Sequence, residues 1–432
     1  MHSILDPHPR FVTSIISRIP LLILLLCSLG ISQFENGTVH ADDWPQILGT
    51  SRNGMATGET LLGAWPQAGP KKLWSVDCGQ GYAGVAVKDN RVFLFHRLKK
   101  NDIVECLDAG TGKEIWKKEF VASYRGGFSS DVGPRCVPLV HGDSVYCLGA
   151  AGTLRRLSLK DGAVAWTQKL FDEFNANEGY FGAGSSPIII DETLVVIVGG
   201  RKGGIVGFDL DGKLKWKTDP DTASYAAPIE IKFRGKVCAA CVSKFTLKIV
   251  EVANGKVLWS QDFGKRGPTV NAAMPLKFDN RLFVSAAYNI GARMIDLDSE
   301  KTIWENDESM SSQYTTCIAF KNHLIGCNGR EDFGNGSLRC IRASDGKVMW
   351  DERETGICHL IQVEDKALVW SIDGTLRLIG LNLEKYERLE KSQIFQQNSK
   401  SLPALSNGRL FVKSNGDENA GQLTCLQVGR LK

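Results

Sequence analysis

The chain has 432 residues, of which 43% are hydrophobic and 23% charged, and this composition excludes wholesale disorder. The formal net charge of +4, from 52 basic and 48 acidic residues, gives no signature of nucleic-acid binding. The 45 glycines, about 10% of the chain against roughly 7% on average, indicate many tight turns. Composition therefore predicts a soluble, turn-rich protein with a packed core and names no reaction.

The first 41 residues have the pattern of a secretory signal peptide. Two arginines precede the apolar run Ile19–Ile31, which at about 13 residues is shorter than the roughly 20 that a membrane-spanning helix needs. Small or tolerated residues follow at Val39–Ala41, where a signal peptidase would read them. We predict that residues 1–41 are a cleaved signal peptide and that residues 42–432 form one periplasmic or secreted domain without a membrane span. An uncleaved N-terminal anchor is the alternative.

Twelve cysteines in an exported chain require an explanation. Removal of the leader takes away Cys27 and leaves eleven scattered cysteines, an odd number without a dense disulfide framework. Cys238 and Cys241 form a CxxC motif within a strand-like run, where a spacing of three places the two sulfurs on opposite faces. No histidine follows this motif, so the attachment pattern of c-type haem is absent. Most of the cysteines are expected to be small buried hydrophobic residues.

A tryptophan recurs at intervals of 42 to 50 residues. From the second onward, each closes a phrase in which a strand runs into a turn, mostly of the Asp/Asn-Gly type, and a second strand begins near the indole. Such turns supply the positive φ angles of a tight hairpin. The tryptophans of this series are Trp74, Trp116, Trp166, Trp216, Trp259, Trp304 and Trp350.

A second series of hairpins alternates with the first, and its arms are continuously apolar, as expected of strands covered on both faces. Two hairpins per period give four strands, and four-stranded units repeated every 40–50 residues or so are typical of a β-propeller. The eight inner hairpins begin near Gly84, Val137, Pro187, Pro228, Pro275, Cys317, His359 and Pro403.

Counting the hairpins predicts an all-β, eight-bladed propeller over about residues 43–429. Six outer hairpins end at the tryptophans from Trp116 to Trp350, and a seventh ends in the degenerate phrase Leu381–Leu389. The C-terminal stretch Pro403–Val428 supplies only three strands, and Lys71–Val76 near the N-terminus is available as the fourth. The eighth blade is therefore predicted to contain both ends of the chain, which leaves no bare sheet edge in the ring.

The phrase that contains Asp108, Thr111, Gly112, Lys113 and Trp116 resembles the tryptophan-docking repeat of the pyrroloquinoline-quinone (PQQ) propellers. This superfamily includes the quinoprotein alcohol dehydrogenases and the BamB-like proteins of outer-membrane β-barrel assembly. The resemblance covers nearly all of the mature chain. It implies that each indole docks between neighbouring blades against the turn of the next repeat, which is a structural role. The repeat is specific for the fold and weak for activity.

Most of the sequence features that the resemblance implies for a quinoprotein dehydrogenase are missing from this chain. The chain has no adjacent Cys-Cys pair, no CxxCH motif and no recognisable set of Ca²⁺ ligands, and its loops are short. GxSxG, HExxH and P-loop motifs are absent as well. We therefore predict a non-catalytic binding or scaffold protein of the cell envelope. The alternatives are a PQQ-dependent alcohol or polyol dehydrogenase and an accessory protein of polysaccharide degradation.

In a propeller, the segments that enter the innermost strands crowd around the axis and form a funnel. Two cations and several flat rings in this funnel would suit a planar ligand that carries carboxylates, such as PQQ with Ca²⁺. The alternative is a water-filled channel, in which Arg135 pairs with Asp131 and Lys400 points into solvent. An envelope protein or a small polar or anionic ligand is the predicted partner of a monomeric chain. The candidate residues are Tyr82, Arg135, Tyr225, Asn271, Tyr314, His359 and Lys400.

Overall fold

The computed structural model describes residues 43–416 and 421–431, so the predicted signal peptide lies outside the described residues. Within them, 32 strands form eight four-stranded antiparallel sheets. Helical structure in these ranges is limited to α1 (Leu170–Phe174) and a 3-10 turn at Arg353–Thr355. The prediction of an all-β propeller with eight blades is confirmed. None of the helices in the described ranges has the length and apolar character needed to cross a membrane.

The strands follow the chain in the order that the hairpin count predicts. The strands of the first half are β1 (Lys71–Cys78), β2 (Ala86–Lys88), β3 (Arg91–Leu98), β4 (Asn101–Asp108), β5 (Glu114–Val121), β6 (Leu139–His141), β7 (Ser144–Leu148), β8 (Thr153–Ser158), β9 (Val164–Lys169), β10 (Ile188–Ile190), β11 (Thr193–Ile197), β12 (Ile205–Phe208), β13 (Leu214–Lys217), β14 (Ile229–Phe233), β15 (Lys236–Val242), β16 (Thr246–Glu251) and β17 (Val257–Asp262). Those of the second half are β18 (Leu276–Phe278), β19 (Arg281–Ala286), β20 (Gly291–Asp296), β21 (Thr302–Asn306), β22 (Ile318–Phe320), β23 (His323–Asn328), β24 (Ser337–Arg342), β25 (Val348–Glu352), β26 (Cys358–Val363), β27 (Lys366–Ser371), β28 (Thr375–Gly380), β29 (Glu387–Gln393), β30 (Ala404–Ser406), β31 (Arg409–Lys413) and β32 (Gly421–Gln427).

Four consecutive strands make each of the first seven blades, from β2–β5 in blade one to β26–β29 in blade seven. Blade eight combines β30, β31 and β32 with the N-terminal strand β1. Strand β1 pairs with β32 from Lys71 opposite Gln427 to Cys78 opposite Gly421. The predicted closure of the ring by both chain ends is confirmed, and it removes the unpaired edge that an open sheet would present.

The burial of the strands changes from the axis to the rim. The second strand of a blade, such as β7, is buried along its whole length because neighbouring blades cover both of its faces. The outermost strand, such as β9, is largely exposed or half-buried. In every blade the pairing of the third and fourth strands contains a register shift. In the blades that carry a docking tryptophan, this β-bulge lies beside the indole.

The indoles dock between blades, as the resemblance implies. The Nε1–H of Trp74 donates to the carbonyl of Ala109, in the outer turn of blade one, over 2.9 Å. Each of five further indoles donates to a backbone carbonyl of the following blade in the same way. They belong to Trp116, Trp166, Trp216, Trp304 and Trp350, over distances of 2.6 to 3.1 Å. Trp259 packs against the hydrophobic cluster between blades four and five.

The core is divided among the interfaces between blades. Seven hydrophobic clusters of buried residues each draw side chains from neighbouring sheets. Cys238 belongs to the cluster between blades four and five, whereas Cys241 belongs to the one between blades three and four. The two sulfurs of the CxxC motif therefore lie on opposite faces of β15, as predicted. All eleven cysteines of the described ranges are buried free thiols.

The segment of residues 43–62 covers one end of the propeller axis. Trp44 exchanges two backbone hydrogen bonds with Val87 in β2, and the carbonyl of Pro45 accepts from the amide of Val140 in β6. Gly54 and Ala56 bond to Gln362 in β26. Leu48 of the same segment belongs to the hydrophobic cluster between blades four and five, so the segment passes across the ring. This cover was not anticipated from the sequence.

Arg52 holds the middle of this segment in place. Its guanidinium donates to the backbone carbonyls of Ser186 and Pro187 over 3.1 and 2.8 Å, and to the side-chain oxygen of Gln46 over 3.0 Å. The side chain is buried, and burial lowers the pKa of Arg52 to about 9. These three oxygen acceptors offset part of the cost of burying the cation.

Candidate functional site

The opposite end of the propeller is the predicted funnel. Because antiparallel strands alternate in direction, the segments that enter the innermost strands and the turns between second and third strands lie at the same end, called here the funnel face. Hydrogen bonds join these segments across blade boundaries. The amide of Gly81 donates to Asp131 Oδ2 over 2.9 Å, and the hydroxyls of Tyr82 and Ser129 lie 3.1 Å apart.

Gly81 is a meeting point of blades eight, one and two. Its carbonyl accepts from Lys413 Nζ over 2.5 Å and from Asn415 Nδ2 over 2.8 Å. Lys413 is 1% exposed, and burial lowers its pKa. Sequence reasoning missed this lysine, although a cation at the end of the apolar strand β31 was a signal. Its role in the structure is to hold the loop that carries Tyr82.

Arg135 pairs within its own loop. Its Nη1 lies 3.1 Å from Asp131 Oδ1 and also donates to the carbonyl of Gly133, and its Nη2 donates to the carbonyl of Asp131 over 2.5 Å. The guanidinium lies 5.1 Å from the ring centre of Tyr82 and 5.5 Å from that of Tyr124. The local pairing with Asp131 that the sequence offered as an alternative is confirmed.

Lys400 also has a carboxylate partner. Its Nζ lies 2.6 Å from Glu331 Oε1 and 5.5 Å from the ring centre of Tyr82. The alternative in which Lys400 points into solvent is therefore not what the structure shows, because Glu331 reaches Lys400 from the turn between β23 and β24 of blade six. Glu331 was missed from the sequence. The length of this turn, from Gly329 to Gly336, was the available signal.

His359 and Tyr314 complete the same cluster. The ring centres of these residues are 6.2 Å apart, and the Tyr314 hydroxyl donates to Glu331 Oε2 over 2.9 Å. His359 Nε2 lies 3.0 Å from the carbonyl of Lys400, to which it donates in the neutral ring. Burial lowers the pKa of His359 to about 4, so the ring is uncharged at neutral pH. Burial and the Glu331 carboxylate raise the pKa of Tyr314.

The two remaining candidates stand apart from this cluster. The Tyr225 hydroxyl accepts from the amides of Tyr180 and Phe181 over 3.1 and 2.9 Å, and burial raises its pKa to about 12. Asn271 Nδ2 donates to the carbonyls of Ser243, Lys244 and Phe263. The backbone amide of Asn271 donates to Ser224 Oγ. The structure therefore brings together Tyr82, Arg135, Tyr314, His359 and Lys400. Tyr225 and Asn271 mainly hold loops of blades two to five.

A cavity of about 910 Å³ opens on the funnel face beside Tyr225. Its lining includes Phe128, Glu178, Tyr180 and Lys244. Phe128 is 74% exposed and contacts the Tyr180 ring edge-on with ring centres 4.9 Å apart, while Lys244 Nζ lies 4.9 Å from the centre of the same ring. This aromatic and cationic wall was not among the predicted site residues.

A second aromatic group projects from blade six on the same face. Phe333 is 67% exposed, and Arg330 lies between two rings, 4.1 Å from the centre of Phe333 and 4.3 Å from that of Tyr288. Arg330 is also paired with Asp332. The funnel face thus presents exposed rings on two sides and paired charges between them.

Among residues 43–416 and 421–431, no group of three His, Cys, Asp or Glu side chains lies close enough together to hold a metal ion. The two funnel cations, Arg135 and Lys400, are already neutralised by Asp131 and Glu331. These residues therefore do not fit the three carboxylates of PQQ in their present arrangement.

Comparison with known proteins places the fold among characterised propellers. A crystal structure of BamB from Moraxella catarrhalis superimposes with a TM-score of 0.61 at 14% identity, over 83% of this chain and 99% of that one. A europium-containing methanol dehydrogenase superimposes with a TM-score of 0.67 at 10% identity, over 89% of this chain and 98% of that one. At these identities the two similarities support the fold alone.

Similarity in sequence identifies the family, whereas the superposition of structures supports only the fold. A Yersinia pestis protein named outer membrane protein assembly factor BamB is 23% identical over 85% of this chain and 92% of its own length. A protein of the same name from Moranella endobia is 23% identical over 55% of this chain and 62% of its own length. Residues 59–244 and 235–429 match the profile of the family described by that name. The chain therefore belongs to the outer membrane protein assembly factor BamB family.

Proposed function

We propose that this protein is a non-catalytic binding scaffold of the cell envelope that acts in the assembly of outer membrane proteins. The observation that carries the proposal is the funnel face, which offers exposed rings beside a large cavity while its inner charges are paired within the fold. The family to which the chain belongs supports the same function. The predicted signal peptide of residues 1–41 would deliver the mature monomer to the periplasm.

The exposed rings have the character of interface anchors. Aromatic residues and arginine are enriched at the energetic centres of protein–protein interfaces, where they bury a large area at low entropic cost. Phe128 and Phe333 are 74% and 67% exposed, and Arg330 is held against Phe333 before any partner arrives. We propose that an envelope protein docks on these rings and that the funnel cluster around Tyr82 forms the floor of its site.

The test is capture of envelope proteins by the tagged mature chain. We expect the wild type to enrich outer membrane proteins or their assembly factors, identified by mass spectrometry, and a Phe128→Ser, Phe333→Ser variant to lose at least about tenfold of that capture. A Val121→Ser variant is the matched control, since Val121 is 84% exposed on the outer strand β5 and does not line the cavity. Equal capture by all three proteins would contradict the proposal.

A PQQ-dependent dehydrogenase is the alternative function, and the shared propeller fold is the observation that favours it. The pairing of Arg135 with Asp131 and of Lys400 with Glu331 argues against it, because a tricarboxylate would have to displace both carboxylates. Dye-linked alcohol oxidation after addition of PQQ and Ca²⁺ tests the activity, for which we expect no turnover.

Binding of PQQ without turnover is tested separately, by titration followed through tryptophan fluorescence. A small anionic ligand at the funnel would bind the wild type more tightly than an Arg135→Ala, Lys400→Ala double variant. Robust turnover, or tight binding that depends on these two cations, would overturn the scaffold proposal in favour of the alternative.

A further inference from the structure

Two of the cysteine sulfurs are in direct contact. Cys327 lies near the end of β23 in blade six, and Cys358 is the first residue of β26 in blade seven. Their Sγ atoms are 3.0 Å apart. Within the ranges that the structure describes, no other two cysteine sulfurs come within hydrogen-bonding distance of each other. The contact joins two blades at the level of their shared hydrophobic cluster.

The local geometry holds the two sulfurs face to face. The amide of Cys358 donates to Cys327 Sγ over 2.9 Å, and this sulfur lies 3.2 Å from the carbonyl of Cys358. The Sγ separation exceeds a disulfide bond of about 2.0 Å by only about 1 Å. A difference of this size is within reach of side-chain rotation, so the packed arrangement of the two blades is compatible with the bond.

The other cysteines lack this arrangement. Cys238 and Cys241 are close in sequence and point into different interfaces, and Cys317 lies in the cluster between blades five and six. One close pair among the eleven described cysteines leaves nine without a sulfur neighbour, so these cysteines form no regular disulfide framework. In an exported chain, a close pair of thiols encounters an oxidising compartment.

We propose that Cys327 and Cys358 form a disulfide that links blade six to blade seven when the chain folds in an oxidising compartment. The oxidant is a disulfide donor, either a thiol–disulfide oxidoreductase or a small-molecule disulfide. One cysteine thiolate attacks the donor and releases its first thiol, and the second cysteine thiolate then attacks the mixed disulfide and releases the other. Two protein thiols lose two electrons and two protons, and the donor disulfide becomes two thiols.

The surroundings determine when this exchange takes place. Both sulfurs are buried in the folded chain, and burial raises the pKa of the Cys358 thiol. A buried thiol is a poor nucleophile, and a bulky donor does not reach it. The bond therefore forms before blades six and seven finish packing. The same burial then shields it from reductants, and the cross-link opposes separation of the two blades.

The test uses the full chain, exported with its own leader and quenched in acid. Alkylation in denaturant without reductant should label nine of the eleven mature cysteines, and all eleven after reduction. Trypsin should release a disulfide-linked pair of the peptides 322–330 and 354–366, each of which contains one cysteine. Eleven labelled thiols, or a disulfide mapped to other cysteines, would refute the proposal.

A second experiment tests the disulfide independently of the predicted export. Chain refolded in a buffer of reduced and oxidised glutathione should give the same linked peptides, and eleven free thiols in that buffer would also refute the pairing. Reductant should lower the unfolding midpoint of the wild type and of Cys317→Ser, the matched buried control, but not that of Cys327→Ser. If Cys327→Ser fails to fold, the peptide map of the wild type decides.

Discussion

The contact between Gly112 and Trp74 allows a quantitative test of tryptophan docking. Gly112 lies in the outer turn of blade one with φ of 71°, and a Cβ atom added there would lie 2.8 Å from two carbons of the Trp74 ring. The flat ring is held by its bond to Ala109 and cannot retreat freely. We therefore expect Gly112→Ala to cost both backbone strain and overpacking.

The magnitude follows from these two contributions. An alanine at positive φ costs about 1–2 kcal/mol, and an extra methyl group in a packed interface costs about 1–3 kcal/mol, so the sum is about 2–5 kcal/mol. Gly142 is the matched control, because its φ is 53° and no atom lies within 4 Å of its Cβ position. Gly142→Ala should therefore lose only the backbone part, about 1–2 kcal/mol.

Urea denaturation followed by circular dichroism measures both losses. A third variant isolates the steric part, since Trp74→Ala removes the ring that the new methyl group meets. Gly112→Ala should then cost about 1–3 kcal/mol less in the Trp74→Ala background than in the wild type. Equal losses for Gly112→Ala and Gly142→Ala, or strict additivity with Trp74→Ala, would refute the docking argument.

Three further predictions concern His359, Trp216 and the closing strand. The pKa of His359 is about 4 in the folded chain and 6.5 ordinarily, so the unfolded chain binds more protons between these two pH values. The free energy of unfolding should therefore fall by about 2 kcal/mol from pH 7 to pH 5 through this residue. Urea midpoints at both pH values measure this loss, which should be absent in His359→Gln. Trp216→Ala should lower the free energy of unfolding by about 3–5 kcal/mol, whereas Trp216→Phe should lose less, and equal losses would exclude ring packing as the main contribution. A chain without residues 42–77 lacks the closing strand, so its thermal unfolding midpoint should fall, and its exposed β32 edge should promote aggregation, which light scattering detects. An unchanged midpoint would contradict ring closure by β1.

Local patterns in the sequence were sufficient to predict the blades. The hairpin turns, the apolar runs and the recurring tryptophan all repeat with one period, and each depends on residues within a few positions of one another. The degenerate phrase before Leu389 was still assigned to blade seven, because the neighbouring hairpins set its position in the count. The same reasoning placed Lys71–Val76 in blade eight, where β1 lies in the structure.

The funnel was predicted less completely. Its location was predicted, and the pairing of Arg135 with Asp131 was weighed as an alternative, since these two residues are four positions apart. The partner of Lys400 is Glu331, 69 positions away, and the partner of Lys413 is the carbonyl of Gly81, 332 positions away. No periodicity relates such residues, so they were missed.

The sequence by itself determined the number of strands and their grouping into blades, because turn chemistry and burial on both faces act locally. The docking of the indoles followed from the resemblance to the PQQ propellers. Only the tertiary structure decided that Lys400 is neutralised by the distant Glu331, which end of the axis residues 43–62 cover and which two cysteines meet. These contacts join segments that ring closure alone brings together, and the rotamers of individual side chains complete them. Pairing across a closed ring is a property of the assembled blades, and no single repeat encodes it.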